Sequence, residues 1–487
     1  MKNSKTLRFG VAALLLNAAL SGSAAIDLPD IFSDNMVLQR ESKARIWGWV
    51  TPGSDIVITT NWNGRQTKGK ADTTGRWDIY IDTPEASYEP TSFSINGDST
   101  SIEVNNVLIG DVWFCSGQSN MQMPMKGFYP NSPVEGSSKA IAESGGNTGI
   151  RFATVPMLQS YEVQDKAGGK WILPSPETTP DISAVAYFFA DQLHKLTDVP
   201  LGIIVCAYGG TKVESWMPKW KLDEYGPQYD MDAEQAKSDN EMTGWERVGV
   251  TYNAMLHPLI GYTIKGFIWN QGESNVNDYQ NYVAHFSDMV DIWRDEWNDG
   301  ELPFYYVEIP PHFYYDANKT QGAMVREAQR EAANVIPNVA YVCTADLAYP
   351  FEEKEIHGSI KQPISQRLAN LVATKEYGLK GLPHEYPSFE KVDLKGDSAI
   401  IYFSQPNGGL LPFSSLDGFE VAGDDKVFYQ AEAKCIPENS TQPFNILVTS
   451  DKVKDIKAVR YAFKNFYPTV ICDHAGMPLI PFRTDNW

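Results

Sequence analysis

Four groups of residues along the 487-residue chain have the types and spacing that acyl transfer requires. Ser119 lies in the stretch Cys115-Ser116-Gly117-Gln118-Ser119-Asn120-Met121, and a glycine pair, Gly209-Gly210, follows Ala207-Tyr208. Gln271-Gly272-Glu273 forms the third group, and in the fourth Glu355 stands two residues before His357. A serine hydroxyl is a weak nucleophile until a base within reach takes its proton, and imidazole titrates where that is possible near neutral pH. The tetrahedral intermediate carries an oxyanion that needs fixed donors, each worth about 3–4 kcal/mol of barrier. Gly210 offers a backbone N–H unshielded by a side chain, Gln271 offers a neutral amide, and Glu355 a carboxylate that can orient an imidazole. Taken singly, each has a plainer reading. Ser119 can be a turn serine, Gly209-Gly210 a tight turn, Gln271-Gly272-Glu273 the opening of a helix at Asn277–Asn298, and His357 a surface loop residue.

The elements around them argue for the joint reading. Apolar runs at Val107–Phe114, Leu201–Cys206, Ile264–Asn270, Phe304–Ile309 and Val339–Cys343 read as strands buried on both faces. Between them lie helical periods: Val185, Phe188, Phe189 and Leu196 behind a Ser183 cap, a stripe from Tyr279 to Trp297, and Ile360, Ile364, Leu368, Leu371 and Val372. Strands alternating with helices predict an α/β domain over residues 106–378, with a parallel sheet covered on both sides. Such sheets bind ligands beyond the carboxyl ends of their strands, and all four groups follow strands there. The flanks, residues 26–105 and 379–487, show short alternating runs broken by turn residues and read as antiparallel β-sandwich segments. Neither flank is a complete sandwich, so one discontinuous β-domain is the expectation.

Composition narrows the function. Acidic residues outnumber basic ones by 61 to 41, for a formal net charge of -20. Such a surface disfavours nucleic acid or anionic lipid as a partner. Thirteen Trp and 24 Tyr suit sugar stacking and a β-rich core equally. Lys2, Lys5 and Arg8, the apolar run from Val11 to Leu20 and the small residues Ser21 to Ala25 form a secretory signal over residues 1–25, too short to span a bilayer. The product is expected outside the cytoplasm, in a periplasm or the medium, with no membrane insertion. Five cysteines are too few for a disulfide framework; Cys115, Cys206 and Cys343 read as buried thiols, while Cys435 and Cys472 could pair. No HExxH, Walker A or dinucleotide fingerprint occurs, so no metal or other cofactor is expected.

The blocks GDVWFCSGQSNMQMP (Gly110–Pro124), CAYGGTKVESW (Cys206–Trp216), IKGFIWNQGESN (Ile264–Asn275) and EIHGSIKQPISQRLA (Glu355–Ala369) resemble those of the sialate O-acetylesterases, which are SGNH-type hydrolases related to some acetylxylan esterases. Leu28–Arg40 and Pro481–Trp487 are similar to that family's opening and closing segments. The resemblance implies a flavodoxin-like hydrolase domain accompanied by β-sandwich segments. It implies Ser119 as nucleophile, His357 as general base, and Gly210 and Gln271 as oxyanion donors beside the Ser119 N–H. Gln118, Asn120, Glu214, Trp216 and Glu273 would be supporting or substrate-binding groups, with Glu273 bracing the Ser119 turn or His357. The implied reaction removes O-acetyl groups from carbohydrate, 9-O-acetyl sialic acid foremost, through an acyl-enzyme. Acetylated xylan or pectin is the alternative substrate, and a non-catalytic carbohydrate-binding protein with Trp-rich sandwiches the alternative class. A glycosidase using Glu214 and Glu273 would leave Ser119 and His357 unexplained. The chain departs from the pattern in Glu355, where Asp is usual, in Asn270, in Gly358 and in a short Met217–Gly249 segment. Glu355 leaves a Ser-His-Glu triad and a Ser-His dyad both open, and nothing in the sequence sets the oligomeric state.

Overall fold

The apolar run Val107–Phe114 is the inner part of one much longer strand, β1 (Thr100–Gly117). Its first residues alternate between exposed and covered, and its last eleven are buried. The change marks where a sheet with one wet face becomes a sheet covered on both. The computed structural model describes residues 25–487 apart from 131, 239–240, 299, 317–318, 412–415 and 437–444. The expected signal therefore falls, but for its last residue, outside the described residues.

Six further strands complete the central sheet: β2 (Ile150–Thr154), β3 (Trp171–Ile172), β4 (Leu201–Ala207), β5 (Gly266–Asn270), β6 (Phe304–Val307) and β7 (Val339–Val342). Their order is β7-β6-β5-β1-β4-β2-β3, parallel throughout except for the short antiparallel edge β3. The chain starts in the middle at β1, fills one side with β2 to β4, then crosses back to β5. That reversal creates a switch point at the carboxyl end of β1.

Four helices cover the sheet: α1 (Ala184–Thr197), α2 (Tyr282–Trp297), α3 (Gln321–Val335) and α4 (Gln362–Tyr377). Helices α1 and α4 share one core with Trp113, Ile203 and Tyr305. Helices α2 and α3 share the opposite core with Phe114, Phe267, Trp269 and Phe304. Ser183 caps α1 by accepting the Ala186 N–H at 3.2 Å. The stripe expected from Tyr279 does not run as one helix, because residues Glu273–Asn281 form 3-10 turns broken at Asp278 (φ -135°, ψ 34°).

The N-terminal strands are tied directly to this domain. Ser87–Gly97 pairs antiparallel with β1, and Val37–Gln39 pairs parallel with it, so the expected boundary at 105/106 falls inside a continuous strand. Their residues also share a core with α2. The C-terminal segment builds its own core from Ala399, Ile401, Val448, Tyr461 and Phe482 among others. Among the described residues no strand of one flank pairs with a strand of the other. Trp47 and Trp77 are buried, so those two sandwich tryptophans serve packing rather than sugar stacking. All five cysteines are free, Cys435 and Cys472 included. Among the described residues no helix is long and apolar enough to cross a membrane.

Trp293 touches the rings of Phe114, Trp216, Phe267, Trp269 and Phe304 and is fully buried. Trp293→Ala is expected to lower stability by about 3–5 kcal/mol through the cavity it leaves. The exposed Trp220→Ala is expected to change it by less than about 0.5 kcal/mol. Thermal and urea unfolding of the two variants checks the contrast.

Candidate active site

Three neighbouring strands end level with one another. Gly117 is opposite Asn270 on β5 and Ala207 on β4. Gly117 has φ +135°, and a Cβ there would drive into the Asn270 carbonyl, so this crossing admits only glycine. The Gln118 N–H donates to that same carbonyl at 3.0 Å, and the chain turns into the short helix Ser119–Gln122. Ser183, the α1 cap, also donates its hydroxyl to Met121 O at 2.6 Å, anchoring the turn from below. Ser119 is left half-buried at the rim.

The glycine loop after β4 closes over this turn. Gly209 N–H donates to Gln122 Oε1 at 2.8 Å, and a Cβ on Gly209 would lie 3.3 Å from Ser119 Cβ. Gly210 has φ +79° and lies against Trp245, which comes from the Met217–Gly249 segment. Among the described residues no protein acceptor takes the backbone N–H of Ser119 or of Gly210, so both can serve an oxyanion. Gln271 is differently placed. Its Nε2 donates to Thr211 O at 3.1 Å and to Asn275 Oδ1 at 2.7 Å, and it is fully buried. An oxyanion there would have to displace one of these bonds.

Behind Gln271 runs a buried polar chain. Asn275 donates to Glu214 at 3.1 and 3.3 Å, and Glu214 bonds His285 Nδ1 at 2.5 Å. Burial alone would raise the Glu214 pKa, but the bonds from His285 and Asn275 hold it below the ordinary carboxylate value. Glu214, Asp278 and His285 bring ligand atoms within 4.8 Å of one another. Those groups already have protein partners, Asp278 bonding Tyr229 and Asn281. Trp216 is fully buried with its Nε1 on Thr211 Oγ1 at 3.0 Å, and so lies beneath the loop rather than facing substrate. Gln118 Oε1 accepts from Gly272 N and Ser274 N, each at 3.3 Å.

His357 arrives on the loop between β7 and α4. Asn120, next to Ser119, donates its amide to Ile356 O, next to His357, at 3.1 Å. The same amide nitrogen donates to Glu273 Oε1 at 2.5 Å. The serine and histidine loops thus meet on one rim, although Ser119 Oγ and the His357 ring are not directly hydrogen-bonded. Phe128 lies edge-on to the imidazole at 4.9 Å between centroids. Glu355 Oε1 accepts the His357 backbone N–H at 3.0 Å and stands 3.7 Å from Nδ1, beyond hydrogen-bond length. Burial, then Lys361 and His312, depress the ring's pKa to about 4, against the opposing pull of Glu355. The imidazole is neutral at pH 7, which is the state a base requires.

An open groove of about 720 Å³ adjoins the turn, lined by Gln122, Phe128, Tyr129, Val155, Met157 and Ala207 among others. Tyr129 and Met157 are exposed at its edge. A polar cavity of about 740 Å³ sits at the opposite end of the sheet, near Asp111, Lys265 and Pro303, away from all these groups. Glu214 and Glu273 are both buried and bonded within the protein, so neither faces a cleft as a glycosidase acid would. Sequence reading passed over Lys361, Asn275 and Gln122. Lys361 was visible inside the histidine block, but no spacing rule marks a lysine that closes on an asparagine 241 positions away.

Residues 109–374 match the family model for carbohydrate esterases described as sialic acid-specific acetylesterases. The chain is 29% identical over 437 residues to the human sialate O-acetylesterase, covering 81% of this chain and 80% of that one. It is 26% identical to the rat sialate O-acetylesterase over 517 residues, with 93% of each covered. A crystal structure of a carbohydrate acetylesterase from Xanthomonas citri superposes with a TM-score of 0.83 at 28% identity, covering 95% of this chain and all of that one.

Gly117→Ala should push the Ser119 turn off the β5 exit. The expected result is a loss of ester hydrolysis of about 100-fold or more with the far-ultraviolet circular dichroism retained. An unchanged kcat in a folded variant contradicts this account of the turn.

Proposed function

The chain belongs to the family of sialic acid-specific carbohydrate acetylesterases, and from that membership we propose that it hydrolyses O-acetyl esters on sialic acid, the 9-O-acetyl form foremost, with Ser119 as nucleophile. The family makes it a carboxylic ester hydrolase whose substrate class is acetylated carbohydrate. The Asn120 bridge, which joins the loop of Ser119 to the loop of His357, is the observation that carries the assignment of these two residues.

In this reading His357 accepts the Ser119 proton as Oγ attacks the acetyl carbonyl. The N–H groups of Ser119 and Gly210 receive the oxyanion. Collapse breaks the bond to the sugar oxygen, which leaves as a hydroxyl with the proton from His357. Water, deprotonated by His357, then attacks the acetyl-serine, releasing acetate and restoring the hydroxyl. Gln271 supports the glycine loop through Thr211 rather than meeting the oxyanion itself. Glu355 shapes the loop through its bond to the His357 N–H and favours the imidazolium by its charge at 3.7 Å. That geometry favours a dyad assisted by a carboxylate over a hydrogen-bonded triad. Export by the leader at residues 1–25 places the enzyme where extracellular glycans are its substrates. N-terminal sequencing of the secreted protein, expected to begin near Ile26, tests that step.

Ser119→Ala and His357→Ala should each lower the hydrolysis of p-nitrophenyl acetate by about 1,000-fold or more with the fold intact. Full activity in either variant removes the assignment. Glu355→Gln should cost only about tenfold. Acetate release from 9-O-acetylated sialoglycan is expected to exceed release from acetylated xylan, and equal rates would defeat the sialate preference.

The base also fixes an acid limit. Because the His357 pKa is depressed to about 4, kcat/KM should hold steady from neutral pH down to about 5 and fall tenfold per unit below 4. The same depression means that this site's contribution to folding is complete above the unfolded value of 6.5 and is lost as pH falls through the folded one. A pH–rate profile breaking near 6.5 would sink the argument for a buried base.

A further inference from the structure

Lys361 stands at the start of α4 and is almost wholly buried. Its ammonium donates to Asn120 Oδ1 at 2.7 Å. Asn120 passes the interaction on through its Nδ2, to Glu273 Oε1 at 2.5 Å and to Ile356 O at 3.1 Å. A single amide therefore lies between a buried cation and a buried carboxylate, its oxygen toward the positive charge and its N–H toward the negative one. The second oxygen of Glu273 is buried without a hydrogen-bond partner. In surroundings this dry, charge–dipole interactions are strong and an uncompensated charge is very unfavourable.

We propose that Lys361 is a positioning residue for the esterase reaction: its ammonium fixes the Asn120 amide, and through that amide the spacing of the Ser119 turn and the His357 loop. The proposal rests on the Ser119–His357 reading above. Without the cation, the Asn120 amide is free to rotate, and Glu273 remains as an unbalanced charge beside it.

The lysine also acts on the base through space. Three charged or titratable groups bear on His357: Glu355 on its own loop, Lys361 at the start of α4, and His312 on the segment after β6. Lys361 and His312 oppose protonation of the ring, and Glu355 favours it. Around Lys361 itself stand Glu273, Glu352 and Glu355, while burial draws its own pKa down to about 8. Removing the lysine charge leaves the pull of Glu355 with less opposition, so the ring takes a proton at higher pH.

The test compares wild type, Lys361→Met, Lys361→Gln, Asn120→Asp and His357→Ala in p-nitrophenyl acetate hydrolysis from about pH 3 to pH 8. Lys361→Met is expected to lower kcat by about 10- to 100-fold with KM within about twofold. Lys361→Gln restores a donor to Asn120 without the charge, and should recover most of that rate. Both should move the acid limb of kcat/KM upward by about one pH unit, a change that loss of packing alone would not produce. Should the methionine variant fail to fold, Asn120→Asp supplies the independent arm. Its carboxylate cannot donate to Ile356 O, so a kcat loss similar to that expected for Lys361→Met is predicted. Wild-type kcat and an unmoved acid limb in folded lysine variants overturn the proposal, as does wild-type kcat in Asn120→Asp. If His357→Ala is inactive while the lysine variants match wild type, only the role of Lys361 fails. If His357→Ala is fully active, the Ser119–His357 reading fails with it.

Discussion

Parallel pairing sends every strand of a sheet out at the same edge, and that single constraint assembles this site. Because β4, β1 and β5 end level at Ala207, Gly117 and Asn270, the turns that follow them must touch. The contact between β1 and β5 is so close that the Asn270 carbonyl occupies the space a Cβ on Gly117 would fill. The released Gln118 N–H uses that carbonyl, and Gln122 then reaches across to hold the glycine loop. Crossover connections lift the remaining groups to the same edge: Glu273 from the turn after β5 and His357 from the loop after β7. An antiparallel arrangement would send alternate loops to opposite ends. The antiparallel half of β1, paired with Ser87–Gly97, lies on the side away from the site and contributes no loop to it.

Charge inside the site is handled by partner number. The protein carries a net charge of -20, yet two of its carboxylates are buried within one loop system and behave oppositely. Burial raises the pKa of Glu273, whose one bonded oxygen meets Asn120 while the other has no partner. Glu214 is at least as deeply buried, but bonds from His285 and Asn275 keep its pKa low. The same reasoning explains an imidazole that stays neutral. Desolvation is the largest influence on His357, and the neighbouring carboxylate at 3.7 Å is too distant to reverse it. A carboxylate in hydrogen-bond contact would raise the ring's pKa toward the neutral range, so the extra reach of Glu355 and its engagement with the loop backbone belong to one electrostatic arrangement.

Much of this was legible in the sequence because the central strands are apolar on both faces. Four of the five expected runs became β4 to β7, and Val107–Phe114 lies within β1. The Ser183 cap also lies where the helix period placed it. Strand β2 was missed because Arg151 breaks its apolar run, although that arginine is buried and bonds Thr148 O and Ile150 O. Helix α3 was missed for a related reason. Its inward face carries Arg326 and Gln329 among alanines, a stripe too polar to register, and the buried Arg326 donates to Lys464 O of the C-terminal segment. The position of Gln271 after β5 was readable, whereas the use of its amide on Thr211 and Asn275 was not. Hydrogen bonds between residues scores of positions apart leave no periodic trace in a single sequence.

The C-terminal segment, which among the described residues shares no strand with the central sheet, bears on the His357 loop through a short series of bonds. Asn465 receives the His312 N–H on its backbone oxygen at 3.1 Å, receives the Gly322 N–H at the start of α3 on Oδ1 at 2.8 Å, and donates to Tyr314 O at 3.1 Å. Phe313 N–H then donates to Glu353 O at 2.7 Å, four residues before His357. Arg483 holds the same segment to α3 by a forked pair with Glu327 at 2.7 to 3.1 Å. Asn465 thus ties the 312–314 stretch to the C-terminal segment. Surface ion pairs of this kind contribute little to stability singly. Their value here is geometric, because the pair holds the C-terminal segment against α3. The β segment therefore helps to hold the stretch that carries His312, one of the groups that oppose protonation of the His357 ring.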